Sequence, residues 1–281
     1  MKNVRLFVLI LFVLPAFKTS AQSYFLLPEN FYLQKDSILN LHLLQSTDFS
    51  KETGAPYQSV KTQKFAFYQG NKTTDLTGKA QDSILNYKTP EEGLALIDIV
   101  SETGSNEMSR NKFLRYLNDD AQDKVTEKVK NSNQLYFKEK YTIYMKSLIE
   151  VGKPTGKIFN KEIGEQYEII LQQNPYKMNY GDDVSAIVKF KGQPVTDATV
   201  MLYVKTVGGS IFPQKLVTDA GGNIYFKLSR EGIYILYSKH LEASTDKTAD
   251  FESWRSTYTF AFSSNNDLPN SYKEFGFGDV H

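Results

Sequence analysis

Between Ile38 and Leu43 the chain alternates: Leu39, Leu41 and Leu43 fall on one face of an extended segment, Asn40 and His42 on the other. A period of two marks a strand. Lys64–Tyr68 is a second strand, and Leu94–Val100, almost continuously apolar, suits a buried one. From Ser105 to Lys130 the pattern changes. Phe113, Leu114 and Leu117 sit at helical spacing and Asp119 to Lys130 is rich in charge, which predicts a short helical insertion with a mostly solvated second half. Tyr136–Val151 reads two ways. Tyr141, Ile143 and Met145 alternate as in a strand, while Tyr141, Tyr144, Leu148 and Val151 would line one face of a helix; the strand is the preferred reading.

Gly152-Lys153-Pro154-Thr155-Gly156 is the clearest break, because neither helix nor strand continues readily through two glycines and a proline. Beyond it short strands recur at Tyr167–Leu171, Val184–Phe190, Thr199–Lys205, Ile224–Leu228, Ile233–His240 and Thr257–Phe262. Turns fall at Lys191-Gly192-Gln193-Pro194 and Asp219-Ala220-Gly221-Gly222-Asn223, where Gly and Asn accept positive φ at low cost. That spacing indicates an antiparallel sandwich. A faint internal echo links Asn30-Phe31-Tyr32, ahead of the strand from Ile38, with Asn174-Pro175-Tyr176, ahead of the strand from Val184. It fits two sandwiches that begin alike, or a coincidence between two common strand entries.

The fold class expected is therefore mainly β: two tandem β-sandwich domains, the second immunoglobulin-like, with a short helical insertion in the first. The divisions are a signal peptide at 1–21, an N-terminal β domain at 22–151 with its insertion at 105–130, a linker at 152–164, the immunoglobulin-like sandwich at 165–262, and a polar tail at 263–281. The tail reads as a loose extension or a minor edge.

Lys2 and Arg5 precede the apolar run Leu6–Phe17, which leads to Lys18-Thr19-Ser20-Ala21. This is the pattern of a secretory signal peptide cut after Ala21, leaving Gln22 first. Twelve helical residues rise only about 18 Å, short of a bilayer core of about 30 Å. No later stretch is long and apolar enough to span a membrane, so an exported, periplasmic protein is expected. With the three basic residues of the leader removed from 33 Lys+Arg against 32 Asp+Glu, the mature chain has a slight negative balance. It lacks the overall field that phosphate backbones call for, and no nucleic-acid partner is expected. The chain contains no Cys, which excludes thiol catalysis, iron–sulfur ligation and thiolate zinc sites.

Asn174-Pro175-Tyr176 with Gly181-Asp182, the turn Lys191-Gly192-Gln193-Pro194 and the hairpin Thr218-Asp219-Ala220-Gly221-Gly222 resemble the strand entry, turn and hairpin of a bacterial exported family, a domain of unknown function often described as the periplasmic component of ABC-type cobalt/nickel transport. Gly232-Ile233-Tyr234 with His240, and Ala249-Asp250-Phe251-Glu252-Ser253-Trp254 with Thr257–Phe260, resemble its last strands. In the first half, Phe25-Leu26-Leu27-Pro28 and Tyr144-Met145-Lys146-Ser147-Leu148 with Gly152 are similar to family segments. The resemblance implies a transition-metal ligand and a membrane transporter as partner. Many members open the mature chain with a histidine, which beside a free amine suits nickel or cobalt. Here the stretch is Gln22-Ser23-Tyr24-Phe25, without one.

Three histidines are present. His281 is terminal, and His42 on a polar strand face reads as solvated or hydrogen-bonded. His240 is the candidate ligand: Glu242 shares its strand face, Asp246 and Asp250 follow, and an imidazole with carboxylates suits nickel, cobalt or zinc. The candidate metal set is His240, Glu242 and Asp250. Trp254 is a candidate ligand or partner platform, or a sandwich anchor, the anchor being favoured by the apolar strand that follows. Asp219–Asn223 does not continue as a calcium loop, since Ile224 and Arg230 stand where such a loop needs Gly and Glu. Hydrolase, zincin, P-loop and dinucleotide motifs are missing. The expected function is a non-catalytic binding or accessory protein that handles a transition-metal ion or complex for a transporter. The alternative is a structural or adhesive module that binds protein or glycan without metal.

Overall fold

The structure, a computed structural model, describes residues 23–46, 52–55, 60–79, 84–119 and 123–277. The predicted leader 1–21, Gln22 and His281 lie outside them.

The first half supplies β1 (Ser23–Pro28), β2 (Tyr32–Leu33), β3 (Ile38–Ser46), β4 (Glu52–Gly54), β5 (Thr62–Gln69), β6 (Lys72–Asp75), β7 (Ile84–Lys88), β8 (Gly93–Ser101) and β9 (Gly104–Ser109). Helices α1 (Arg110–Asp119) and α2 (Asp123–Lys130) follow, then the long β10 (Tyr136–Val151). The second half supplies β11 (Tyr167–Leu171), β12 (Asp183–Phe190), β13 (Gln193–Pro194), β14 (Thr199–Lys205), β15 (Ile211–Val217), β16 (Asn223–Lys227), β17 (Gly232–Ala243) and β18 (Phe251–Phe262).

In the second half β11, β12 and β16 form one layer, and β15, β14, β17 and β18, in that order, form the other. This is the layering of an immunoglobulin-type sandwich. Tyr234, near the start of β17, donates its hydroxyl hydrogen to the Arg230 carbonyl at 2.7 Å, the tyrosine corner of that fold. The first half repeats the arrangement: β1, β3 and β7 in one layer, β6, β5, β8 and β10 in the other. The last strand of each sandwich then pairs with that of the other. Glu139–Ser147 of β10 runs parallel to Phe251–Thr259 of β18, so the two inner layers, with β2 and β9 also paired to β10, form one ten-stranded sheet.

Pairing equivalent strands in parallel requires one sandwich to be turned over about the strand direction. The two outer layers therefore lie on opposite faces of the shared sheet. Burial along β8 shows this directly: Ala95, Ile97 and Ile99 enter the core beneath β1 and β3, while Leu94, Leu96 and Val100 enter the core beneath β11 and β12. Each half thus contributes an outer sheet and part of the shared one. Both β8 and β17 open on a Glu-Gly pair, Glu92-Gly93 and Glu231-Gly232. At Gly232 (φ +151) a Cβ would lie 2.3 Å from the Lys205 carbonyl oxygen, so only glycine fits that close approach. The ends of the shared sheet are blunted. β6 is four residues long, and β15 carries Pro213 and Lys215.

The insertion sits between β8 and β10. Residues 105–109, expected to be helical, are extended, because β9 pairs with Tyr136–Tyr141 of β10. The helices that follow bury Phe113, Tyr116, Leu117, Val125 and Val129 against Phe137, Leu241 and Phe251. Of the tail, residues 263–277 are described, and they form neither a loose extension nor a sheet edge. Phe275 and Phe277 join the first core, and Tyr272 stacks on His42 with ring centroids 3.8 Å apart.

Candidate functional site

β17 and β18 bring His240 opposite Trp254 in register. His240 Nε2 lies 3.0 Å from Glu242 Oε1, the contact expected of residues two apart on a strand. The imidazole packs on Phe190 with centroids 4.2 Å apart, and Phe190 in turn meets Trp254 at 4.7 Å. Lys191 caps the group, with Nζ 4.6 Å from the Phe190 ring and 5.3 Å from Trp254. Cation and rings attract through the negative ring faces.

Trp254 is 3% exposed, and its indole N–H donates to Gln166 Oε1 at 2.8 Å. It is an anchor of the second core. The exposed platform considered from sequence is ruled out at this residue, because a ligand has no ring face to reach.

Asp250 does not join His240 and Glu242. Its Oδ1 accepts from Gln134 Nε2 at 2.9 Å and its Oδ2 from the Lys138 backbone N–H at 2.7 Å, tying β18 to β10. Asp246 pairs with Lys140, whose hydrogen bond leads in holding its carboxyl down at about 2. The proposed set is thus divided between two places, and among the described residues no three His, Asp or Glu side chains converge as a metal site. The Asp219 loop is a turn: Asp219 Oδ1 accepts the backbone N–H groups of Gly221 and Asn223, each at 2.8 Å.

His42 is buried rather than solvated. Its Nε2 lies 2.8 Å from Glu29 Oε1, and burial holds its pKa below the usual imidazole value against the pull of Glu29. Glu29 also accepts from Asn40 and from Asn270 of the C-terminal segment, at 3.1 and 3.3 Å.

Sequence reasoning missed a polar cluster between the shared sheet and the start of the second sandwich. Lys146 and Glu168 are both buried and meet at 2.5 Å; Glu168 also accepts the backbone N–H groups of Ile163 and Gly164. Lys64 bridges Asp98 at 2.9 Å and Glu165 at 2.5 Å. Asp98 and Lys146 stood out in the sequence as single charges within apolar stretches, which is the available signal. Burial leads in pushing the Asp98 carboxyl up, and the neighbouring Glu165 charge adds to it. Glu150, higher on β10, is pushed up to about 7 by burial.

A family model described as a domain of unknown function (DUF4198) matches residues 19–242, and the chain belongs to that family. No curated protein matches it. Among solved structures, the three N-terminal domains of the bacteriophage RB49 outer capsid protein Hoc are similar at 10% identity, over 86% of this chain and 71% of that one, with a TM-score of 0.21. The D0-D1 domain of intimin matches at 9% identity over 86% of this chain and 98% of that one, with a TM-score of 0.20. The Salmonella α2-macroglobulin reacted with methylamine matches at 10% identity over 84% of this chain and 14% of that one, with a TM-score of 0.21.

Proposed function

We propose that the protein is an exported, non-catalytic interaction module, a pair of joined immunoglobulin-type sandwiches that presents its loop ends to a protein or glycan partner. The observation that supports this reading is the division of the predicted ligands: His240 is engaged with Glu242, whereas Asp250 is engaged with Gln134 and Lys138. Side chains already bonded to protein partners serve a scaffold better than a metal cage. Periplasmic export is the location that the leader-like N-terminus supports.

A second reading has one observation of its own. The His240–Glu242 pair is partly exposed, with side chains 23% and 48% accessible, and an imidazole with a carboxylate suits nickel, cobalt or zinc. Together with the resemblance to a cobalt/nickel transport component, it supports a metal-handling accessory that serves a membrane transporter. Elemental analysis of the protein purified from its native compartment separates the two. Metal well below one equivalent supports the interaction module. A full equivalent, with calorimetric nickel, cobalt or zinc binding that is lost in His240→Ala, supports the accessory and overturns the module.

A further inference from the structure

The face of the shared sheet on which the second sandwich closes carries more buried acid than base. Asp98 on β8 is 0% exposed, and Glu165 and Glu168 come from the segment entering β11 and from β11 itself. Glu150 on β10 is 6% exposed, and its Oε2 has no hydrogen-bond partner. The ammonium groups among these four carboxylates are those of Lys64 and Lys146. With every group ionised, the joint holds two more negative than positive charges. Burying carboxylates in such excess favours their neutral form.

We infer that the joint between the two sandwiches is proton-linked: closing it places protons on Asp98 and Glu150, so mild acid tightens it and rising pH loosens it. Other groups facing the joint do not cancel the excess. Lys161 lies over the Tyr68 ring at the rim, Lys189 pairs with Glu162 there, and at the far end Lys191 lies over Phe190 and Trp254 beside the His240–Glu242 pair, all of them common to the variants compared below. Glu252 acts on Tyr144, and Glu231 and Asp267 act on Tyr32, each adding negative charge. Burial raises Tyr32, Tyr144, Tyr176 and Tyr258, which therefore stay neutral.

The direction follows from linkage. Both carboxyls are raised in the folded protein above their ordinary values of 3.8 and 4.5, Glu150 to about 7. Their contribution is complete below those ordinary values and is lost as pH rises toward 7, because the unfolded chain releases protons that the folded one keeps. His42, lowered by burial, acts in the opposite sense below 6.5. It is common to all variants, so the comparison between variants isolates the joint.

The test is urea unfolding at pH 5.5 and 7.5 of the wild type, Asp98→Asn, Glu150→Gln and the double variant. One linked proton changes the unfolding constant up to about tenfold per pH unit. Between the two pH values the wild-type constant is expected to rise at least about tenfold more than that of the double variant, with the single variants between them. Equal pH dependence in the wild type and the double variant overturns the inference. If the variants with Asp98→Asn do not fold, Glu150→Gln decides alone: a flatter pH dependence than the wild type supports the inference, and an unchanged one overturns it. None of these outcomes depends on the ligand of the protein.

Discussion

The rings of Tyr32 and Tyr176 meet edge to face, with centroids 5.3 Å apart and planes at 90°. Each follows an asparagine two residues earlier whose side-chain oxygen accepts its backbone N–H, Asn30 at 2.8 Å and Asn174 at 3.0 Å. Each also lies in the connection between the first and second long strands of its own sandwich. The echo in the sequence is therefore structural: matching entry turns, brought together where the sandwiches join. Tyr176 reaches further, donating its hydroxyl hydrogen to the Leu148 carbonyl of β10 at 2.5 Å.

Tyr176→Phe removes that bond and keeps the ring. A buried hydrogen bond of this kind contributes on the order of 1 kcal/mol. Chemical denaturation should show a loss of about 1–2 kcal/mol with an unchanged denaturant slope. A variant as stable as the wild type would show that the hydroxyl bond adds nothing to the joint.

Lys146→Met should be costlier. It leaves Glu168 buried beside an apolar side chain, a loss of about 3–5 kcal/mol for a broken buried pair. Adding Glu168→Gln should recover part of that loss, because an amide can keep one of the backbone bonds that Glu168 accepts from Ile163 and Gly164. A double variant no better than Lys146→Met would indicate that packing, and not charge, decides the site.

Trp254 is the single tryptophan of the chain, so fluorescence reports on it alone. Burial predicts blue-shifted emission and weak quenching by acrylamide in the folded protein. Free access of the quencher would contradict its place in the second core.

His42 is expected to titrate by NMR with a midpoint below 6.5, since burial outweighs its Glu29 partner. The unfolded chain takes up this proton first, so the contribution of His42 to stability falls as pH drops below 6.5. A midpoint above 6.5 would mean that the ion pair dominates.

How much of this was legible depends on whether a contact is local. Leu94–Val100 announced itself as buried because an outer layer covers each face of the shared sheet at β8. The same double cover explains why Tyr136–Val151 read as either helix or strand: β10 is buried on both faces from Thr142 onward and shows no period of two. β18 was expected from Thr257 but starts at Phe251, since Ser253, Arg255 and Ser256 are buried by pairing on both sides. The second sandwich was recognisable from its turns. The first was blurred by short polar strands such as Lys72–Asp75. At the candidate site, the His240–Glu242 contact followed from spacing of two. Asp250 was misplaced because its partners lie 112 and 116 residues away, across a parallel pairing that no local pattern encodes. The ionic cluster was hidden for the same reason, with Lys64 and Glu165 separated by 101 positions.

The central claim is that the β10–β18 ladder makes one body of two sandwiches. Native-state hydrogen exchange under increasing denaturant tests it most directly, because it resolves partial openings from global unfolding. Amides of Thr142, Tyr144 and Lys146 share the side of β10 from which Lys138 N–H bonds Asp250, while Ile143 N–H turns to Ser101 of β8. Those of Thr142, Tyr144 and Lys146 are predicted to exchange only by the global route, merging with those of Leu96 and Leu236 in the sandwich cores. Exchange of the β10–β18 amides through a separate, less costly opening, while Leu96 and Leu236 stay protected, would contradict the account.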